Sequence, residues 1–234
     1  MHKLKLTGIV WLTLLIVSCG SKQSRDSGST DTIGNKAQAT APTKASAKTV
    51  LFFGDSLTAG LGLDDPASQA YPGVIAAKID SLKLPYKVIN SGVSGETTAG
   101  GLARIDWILK QKVDIFMLEL GANDGLRGTS VSETNNNLQA IIDKVKAKYP
   151  SAKIILLGMM VPPSMGAAYC SDFKAIFPAL AAKNKIGLVP FLLDGVAGNP
   201  KLNQNDGIHP TAIGAKILAN NVWKVLKPDL EPGS

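Results

Sequence analysis

The chain holds two histidines, His2 and His209, in very different settings. His209 lies in Asp206-Gly207-Ile208-His209-Pro210, with a carboxylate three residues ahead of it. A short turn at that spacing can lay Asp206 on one imidazole nitrogen and leave the other facing outward. This fixes the tautomer and stabilises the imidazolium that forms when histidine takes a proton. The plainer alternative is a loop histidine beside a solvated aspartate. A histidine base needs a nucleophile, and Ser56 stands in Gly54-Asp55-Ser56-Leu57-Thr58-Ala59-Gly60, directly after the apolar run Val50-Leu51-Phe52-Phe53. A serine at a strand-to-loop turn can expose its hydroxyl, and the backbone around it can turn N–H donors toward a developing oxyanion. Serines also cap helices and shape turns, so Ser56 alone decides nothing.

Two further segments have polar groups suited to the same chemistry. Asn90-Ser91-Gly92-Val93-Ser94-Gly95-Glu96-Thr97 follows an apolar run, and its glycines let backbone N–H groups approach a ligand closely. A phosphate-binding loop is the competing reading, weakened by the absence of Gly-Lys-Ser/Thr and of a dinucleotide fingerprint. Gly121-Ala122-Asn123-Asp124-Gly125 offers Asn123 as a neutral amide donor, although Asn-Asp-Gly is also a turn-forming sequence.

The elements that must position these groups follow from hydrophobic patterning. Strands are expected at Val50 to Phe53, Tyr86 to Ile89, Asp114 to Leu120, Lys153 to Leu157 and Gly187 to Phe191. Helices are expected at Tyr71 to Leu82, Thr98 to Gln111, Val131 to Lys148, Ala167 to Asn184 and Thr211 to Leu226, the third with capping-box spacing between Ser130 and Glu133. Strands alternating with helices predict a three-layer α/β/α sandwich with a mainly parallel five-stranded sheet. Ligands in such folds sit beyond the carboxyl ends of the strands, where the four polar segments lie. Met159 to Met165, with Pro162-Pro163, either border the pocket or serve as core and turn residues.

Taken together and in this order, the four segments resemble the sequence blocks of the SGNH (GDSL-type) hydrolases. These blocks are Gly-Asp-Ser-Leu, a glycine block, Gly-x-Asn-Asp and Asp-x-x-His, and the resemblance spans Thr49 to Pro228. Asn90 to Arg104 and Leu118 to Gly128 are similar to the bacterial thioesterase/arylesterase/lysophospholipase branch, with Glu119 to Gly128 nearly a signature. The resemblance implies the flavodoxin-like SGNH fold and a serine esterase working without cofactor. It makes Ser56 the nucleophile, His209 the general base and acid, and Asp206 its orienting partner. It builds the oxyanion hole from the backbone N–H of Ser56, the backbone N–H of Gly95 and the side-chain amide of Asn123. Gly95 is chosen over Gly92 because Ser94-Gly95-Glu96-Thr97 matches the branch's Ser-Gly-Asp-Thr, with Glu96 in place of aspartate. Asp55 and Asp124 are expected to shape turns. The implied substrates are small acyl esters, thioesters or lysophospholipids. The rival within enzymes is a carbohydrate O-acetyl esterase, and outside them a surface protein that binds acylated ligands without turning them over.

Ahead of this region, Lys3 and Lys5 precede the mostly apolar run Leu6 to Val17, which ends in Ile16-Val17-Ser18-Cys19-Gly20. The run is about half the length of a membrane-crossing helix and resembles a bacterial lipoprotein signal. This predicts a signal peptide over residues 1–18, lipidation at Cys19, a flexible tether to residue 48, a hydrolase domain over 49–234 and a place in the cell envelope. Ile33 is the only large aliphatic residue between Gly20 and Lys48, too little to offset ordering entropy. Of the formal +7, +2 lies in the first eighteen residues and +3 between Ser21 and Lys48, leaving +2 for the remainder. That distribution argues against a nucleic-acid partner. With Cys19 lipidated and His2 removed, Cys170 and His209 are the only thiol and imidazole left. An intrachain disulfide is then excluded, no Cys/His zinc site can be built, and no metal is expected.

Overall fold

Val50-Leu51-Phe52-Phe53 lies wholly buried with a strand on either side, as its unbroken apolar character requires. It is the core of β1 (Lys48–Gly54) in a computed structural model that describes residues 47–231. The expected signal peptide and tether, apart from Ala47 and Lys48, lie outside the described residues. After β1 come α1 (Ser56–Ala59), α2 (Pro66–Gln69), α3 (Tyr71–Ser81), β2 (Tyr86–Gly92), α4 (Thr98–Ile108) and β3 (Ile115–Glu119). The chain continues through α5 (Ala122–Leu126), α6 (Val131–Lys148), β4 (Lys153–Leu157), α7 (Ala167–Asn184), β5 (Gly187–Val189) and α8 (Ala212–Leu230).

All five strands run parallel in the order β2-β1-β3-β4-β5. From β1 the chain first steps outward to β2, then returns across β1 to lay down β3. Right-handed crossovers in opposite directions put their helices on opposite faces, so α3 and α4 cover different sides of the sheet. α3 packs with α8, while α4, α6 and α7 pack in a row, giving the expected α/β/α layers. The reversal leaves a crevice between the carboxyl ends of β1 and β3, where ligands bind in open α/β sheets.

Five expected elements keep their bounds within a residue, and the departures have local causes. β2 continues through Asn90-Ser91-Gly92 because register pairing with β1 persists to Gly92. β5 stops at Val189, ahead of Pro190, which has no N–H for a ladder. α4 ends at Ile108, three residues early, and α8 extends to Leu230. The loops after β1 and β3 also hold short helices, α1 and α5, that the patterning did not reveal. Met159 is buried core, and Pro163–Met165 forms a single 3₁₀ turn.

Candidate active site

The turn after β1 is built around Ser56. Asp55 caps α1, its Oδ1 accepting the Leu57 N–H at 3.0 Å, which places Ser56 as the first helical residue. Ser56 is buried except for a narrow outlet, at 8% exposure. Gly54 cannot be replaced by a larger residue here. A Cβ on it would lie 2.2 Å from Thr58 Oγ1 and 2.4 Å from Glu119 Oε2. The glycine ahead of the serine therefore makes room for two side chains beneath the turn.

His209 reaches this turn from the loop before α8. Its Nε2 lies 2.8 Å from Ser56 Oγ, and its Nδ1 lies 2.6 Å from Asp206 Oδ2. An ionised carboxylate only accepts, so Nδ1 bears the proton and Nε2 offers its lone pair to the Ser56 hydroxyl. Asp206 Oδ1 accepts the backbone N–H of Ile208 at 2.9 Å and of His209 at 3.0 Å. The His209 N–H, then the imidazole, then the Ile208 N–H hold the Asp206 carboxyl down to about 2. The loop is fastened to the segment after Ser56 by Gln204, whose Nε2 donates to Leu61 O at 2.7 Å and to Pro210 O at 2.9 Å. Beside Ser56 and His209 is a small apolar hollow of about 10 Å³, lined by Leu57, Leu61, Leu63, Pro210 and Leu218. Met159 to Met165 do not line it.

The remaining polar segments meet across the crevice. Gly95 has φ +79°, a left-handed conformation that favours glycine. Its carbonyl accepts from Arg127 Nη2 at 2.9 Å, while its N–H meets no acceptor among the described residues. The Gly92 N–H, in contrast, is taken by Asn90 Oδ1 at 2.9 Å. Asn123, on α5 rather than in a loop, donates from Nδ2 to Asp55 Oδ2 and to Glu96 O, each at 3.0 Å. Glu96 is clamped by the Arg104 guanidinium through Nε and Nη2, and Arg104 also donates to Ser91 O at 2.8 Å and lies 4.0 Å above the Phe53 ring. The longer glutamate at this position is thus accommodated by a bidentate arginine partner. Asp124, expected to shape a turn, instead lies within α5 and ties it to the start of α4, accepting from the Thr98 N–H and hydroxyl.

Beneath Ser56 sit two buried acids, Asp55 and Glu119. Burial pushes the Asp55 carboxyl up to about 6, against opposing hydrogen bonds from Leu57, Glu119 and Asn123 and the nearby His209. Glu119, at the end of β3, is pushed up well above the usual carboxylate range, first by burial and then by the Asp55 charge. Sequence reasoning overlooked Glu119, Arg104, Arg127 and Gln204. Glu119 left a signal, a charge ending the otherwise apolar Ile115-Phe116-Met117-Leu118 run. The others act through contacts made only in the folded chain. Among the described residues no cluster of His, Cys, Asp or Glu is placed to hold a metal ion. Cys170 is a free thiol donating to Pro162 O at 3.3 Å.

Residues 52–217 match the GDSL-like Lipase/Acylhydrolase family. The chain belongs to that family. It is 41% identical over 186 residues to Esterase TesA of Pseudomonas aeruginosa, covering 79% of this chain and 90% of that one. It is 38% identical over 185 residues to Thioesterase 1/protease 1/lysophospholipase L1 of Escherichia coli K12, covering 79% and 86%. The solved structure described as TesA superposes with a TM-score of 0.73 at 41% identity, over 77% of this chain and 99% of that one. The fold is the SGNH hydrolase fold, and this GDSL-family chain is a serine ester hydrolase.

Proposed function

We propose that this hydrolase cleaves acyl esters and thioesters, lysophospholipids included, with Ser56 as nucleophile, His209 as base and acid, and Asp206 as orienting group. One observation supports these roles above the others: Ser56 Oγ, His209 and Asp206 stand in one relay at 2.8 Å and 2.6 Å. Ser56 Oγ attacks the acyl carbonyl carbon while Nε2 takes its proton. The carbonyl oxygen becomes an oxyanion that faces the Ser56 and Gly95 N–H groups. Asn123 supplies the third donor by turning one Nδ2 hydrogen from the Glu96 carbonyl to the more strongly accepting anion, keeping its bond to Asp55. Collapse expels the alcohol or thiol, which takes the proton from His209. Water, activated by the same nitrogen, then releases the acid and regenerates Ser56.

The names of the similar proteins, an esterase and a thioesterase/lysophospholipase, favour acyl chains over acetylated sugars. The test follows hydrolysis of p-nitrophenyl esters from acetate to palmitate, beside Ser56→Ala. Serine-dependent turnover peaking at medium or long chains is expected. Turnover confined to acetate would move the assignment to carbohydrate deacetylation, and none from folded protein would sink it in favour of a binding role. The lipobox-like Ile16-Val17-Ser18-Cys19 further supports a lipid anchor on Cys19 and a place in the bacterial envelope. In a bacterial host the protein then partitions into detergent on phase separation, and Cys19→Ser moves it to the aqueous phase.

A further inference from the structure

Glu119 is fully buried at the carboxyl end of β3, directly under the nucleophile turn. Its Oε2 accepts the Asp55 N–H at 3.0 Å and the Thr58 hydroxyl at 2.7 Å. Its Oε1 is sealed from solvent and no donor reaches it. No cation pairs with Glu119 among the described residues; the groups that face it are Asp55 and Thr58, with the Tyr71 hydroxyl 2.7 Å from Thr58 Oγ1. A carboxylate so placed would carry a charge with half its acceptor capacity unmet, directly below the second buried carboxyl, Asp55, whose backbone N–H it already accepts. A proton on Oε1 removes both penalties at once, because it turns an unmet acceptor into a donor and gives the two carboxyl groups one hydrogen to share.

We propose that Glu119 is carried as a neutral carboxylic acid whose Oε1–H donates to the Asp55 carboxylate, making Glu119 a positioning residue for the oxyanion site. The connection continues outward. Asp55 takes the Leu57 N–H with Oδ1 and the Asn123 amide with Oδ2. A proton donated from below holds this carboxylate in one orientation while it aims both the nucleophile turn and the Asn123 amide. The burial of both acids, Asp55 at 1% exposure and Glu119 at none, keeps water from substituting for either bond. The inference rests on Asn123 being an oxyanion donor, as read above.

The experiment combines infrared spectroscopy with kinetics on the purified full chain. At pH 7 the protein shows the carbonyl stretch of a protonated carboxylic acid, and Glu119→Gln, which replaces the O–H donor by an N–H donor of the same size, removes it. Glu119→Gln keeps kcat on a medium-chain ester within about threefold. Glu119→Met, with no polar atom to give, lowers kcat about tenfold to a hundredfold with KM little changed. That loss disappears in an Asn123→Ala background, because residues acting through one group are not additive. Absence of the band, with kcat in Glu119→Gln as low as in Glu119→Met, would overturn the proposal. So would a Glu119→Met loss that adds fully to that of Asn123→Ala. Should Glu119→Met fail to fold, the band and the glutamine variant still decide. If Asn123→Ala itself leaves kcat intact, the positioning role falls with the oxyanion assignment, and the band alone decides where the proton sits.

Discussion

At the scale of single residues, the site depends on a few hydrogen bonds of unequal value. Asn123 is expected to supply one of three oxyanion donors, and removing one such donor costs about 10²–10³ in kcat. Asn123→Ala is therefore expected to fall by that factor in steady-state ester hydrolysis with KM near wild type. Asp206→Ala is expected to lose less than Ser56→Ala, since a misoriented base retains some activity and a missing nucleophile retains little. Equal losses in two folded variants would contradict the roles given to them. These residues were legible in the sequence because each lies in a short local pattern. Asp206 and His209 need only a turn, and Gly54 to Ser56 need only the end of a strand. Glu119 and Gln204 were not legible in the same way. Each acts on a segment more than sixty residues away, through Asp55 N–H and Leu61 O respectively.

At the scale of elements, β2 and α4 are joined by a loop whose shape is set by an ion pair rather than by backbone bonds alone. Arg104, on α4, holds Glu96 with two nitrogens and the Ser91 carbonyl with one of them, at the base of the Gly95 turn. Glu96 is nearly inaccessible, so Arg104→Ala leaves a carboxylate without its partner, a change that costs on the order of 3–5 kcal/mol in a buried pair. The exposure of the Arg104 side chain, at 22%, places the expected loss toward the lower end. We expect a lower urea midpoint together with reduced kcat, and a better result from Arg104→Lys in stability than in activity, because lysine keeps the charge but not the fork. Elements were the most legible level of this chain. Val131–Lys148 follows directly from periodicity and its Ser130 cap, whereas α1 and α5 are too short to show a period.

At the scale of the whole molecule, the strand order could not be read from the sequence, because patterning states which segments are strands and not which neighbours they choose. The reversal at β1 is what gathers Ser56, Asn123 and the Gly95 loop at one crevice. Global stability should carry the mark of the acids buried there. Burial holds Asp55 near 6 in the folded chain, against about 3.9 when unfolded. The folded state therefore binds more protons between those values. This contribution is fully present below about pH 4 and is lost as pH rises through about 6. Asp206 has the opposite sign, its contribution being lost only as pH falls through about 2. Urea midpoints compared between wild type and Asp55→Asn cancel the other carboxylates. The wild type is expected to lose ground relative to the variant between about pH 4 and 6.5, and parallel curves would show that Asp55 ionises as an ordinary surface carboxyl.

α8 runs away from the His209 loop until Asp229 meets the first residues of two strands, its carbonyl accepting from the Tyr86 hydroxyl and its carboxylate pairing with Lys153. β1 likewise begins at Lys48 and ends at the turn that carries Ser56. The described chain thus enters and leaves at one pole of the sheet, while substrate arrives at the other. A support or fusion partner that grips the described chain close to Lys48 or Leu230 leaves the mouth pointing away from what holds it.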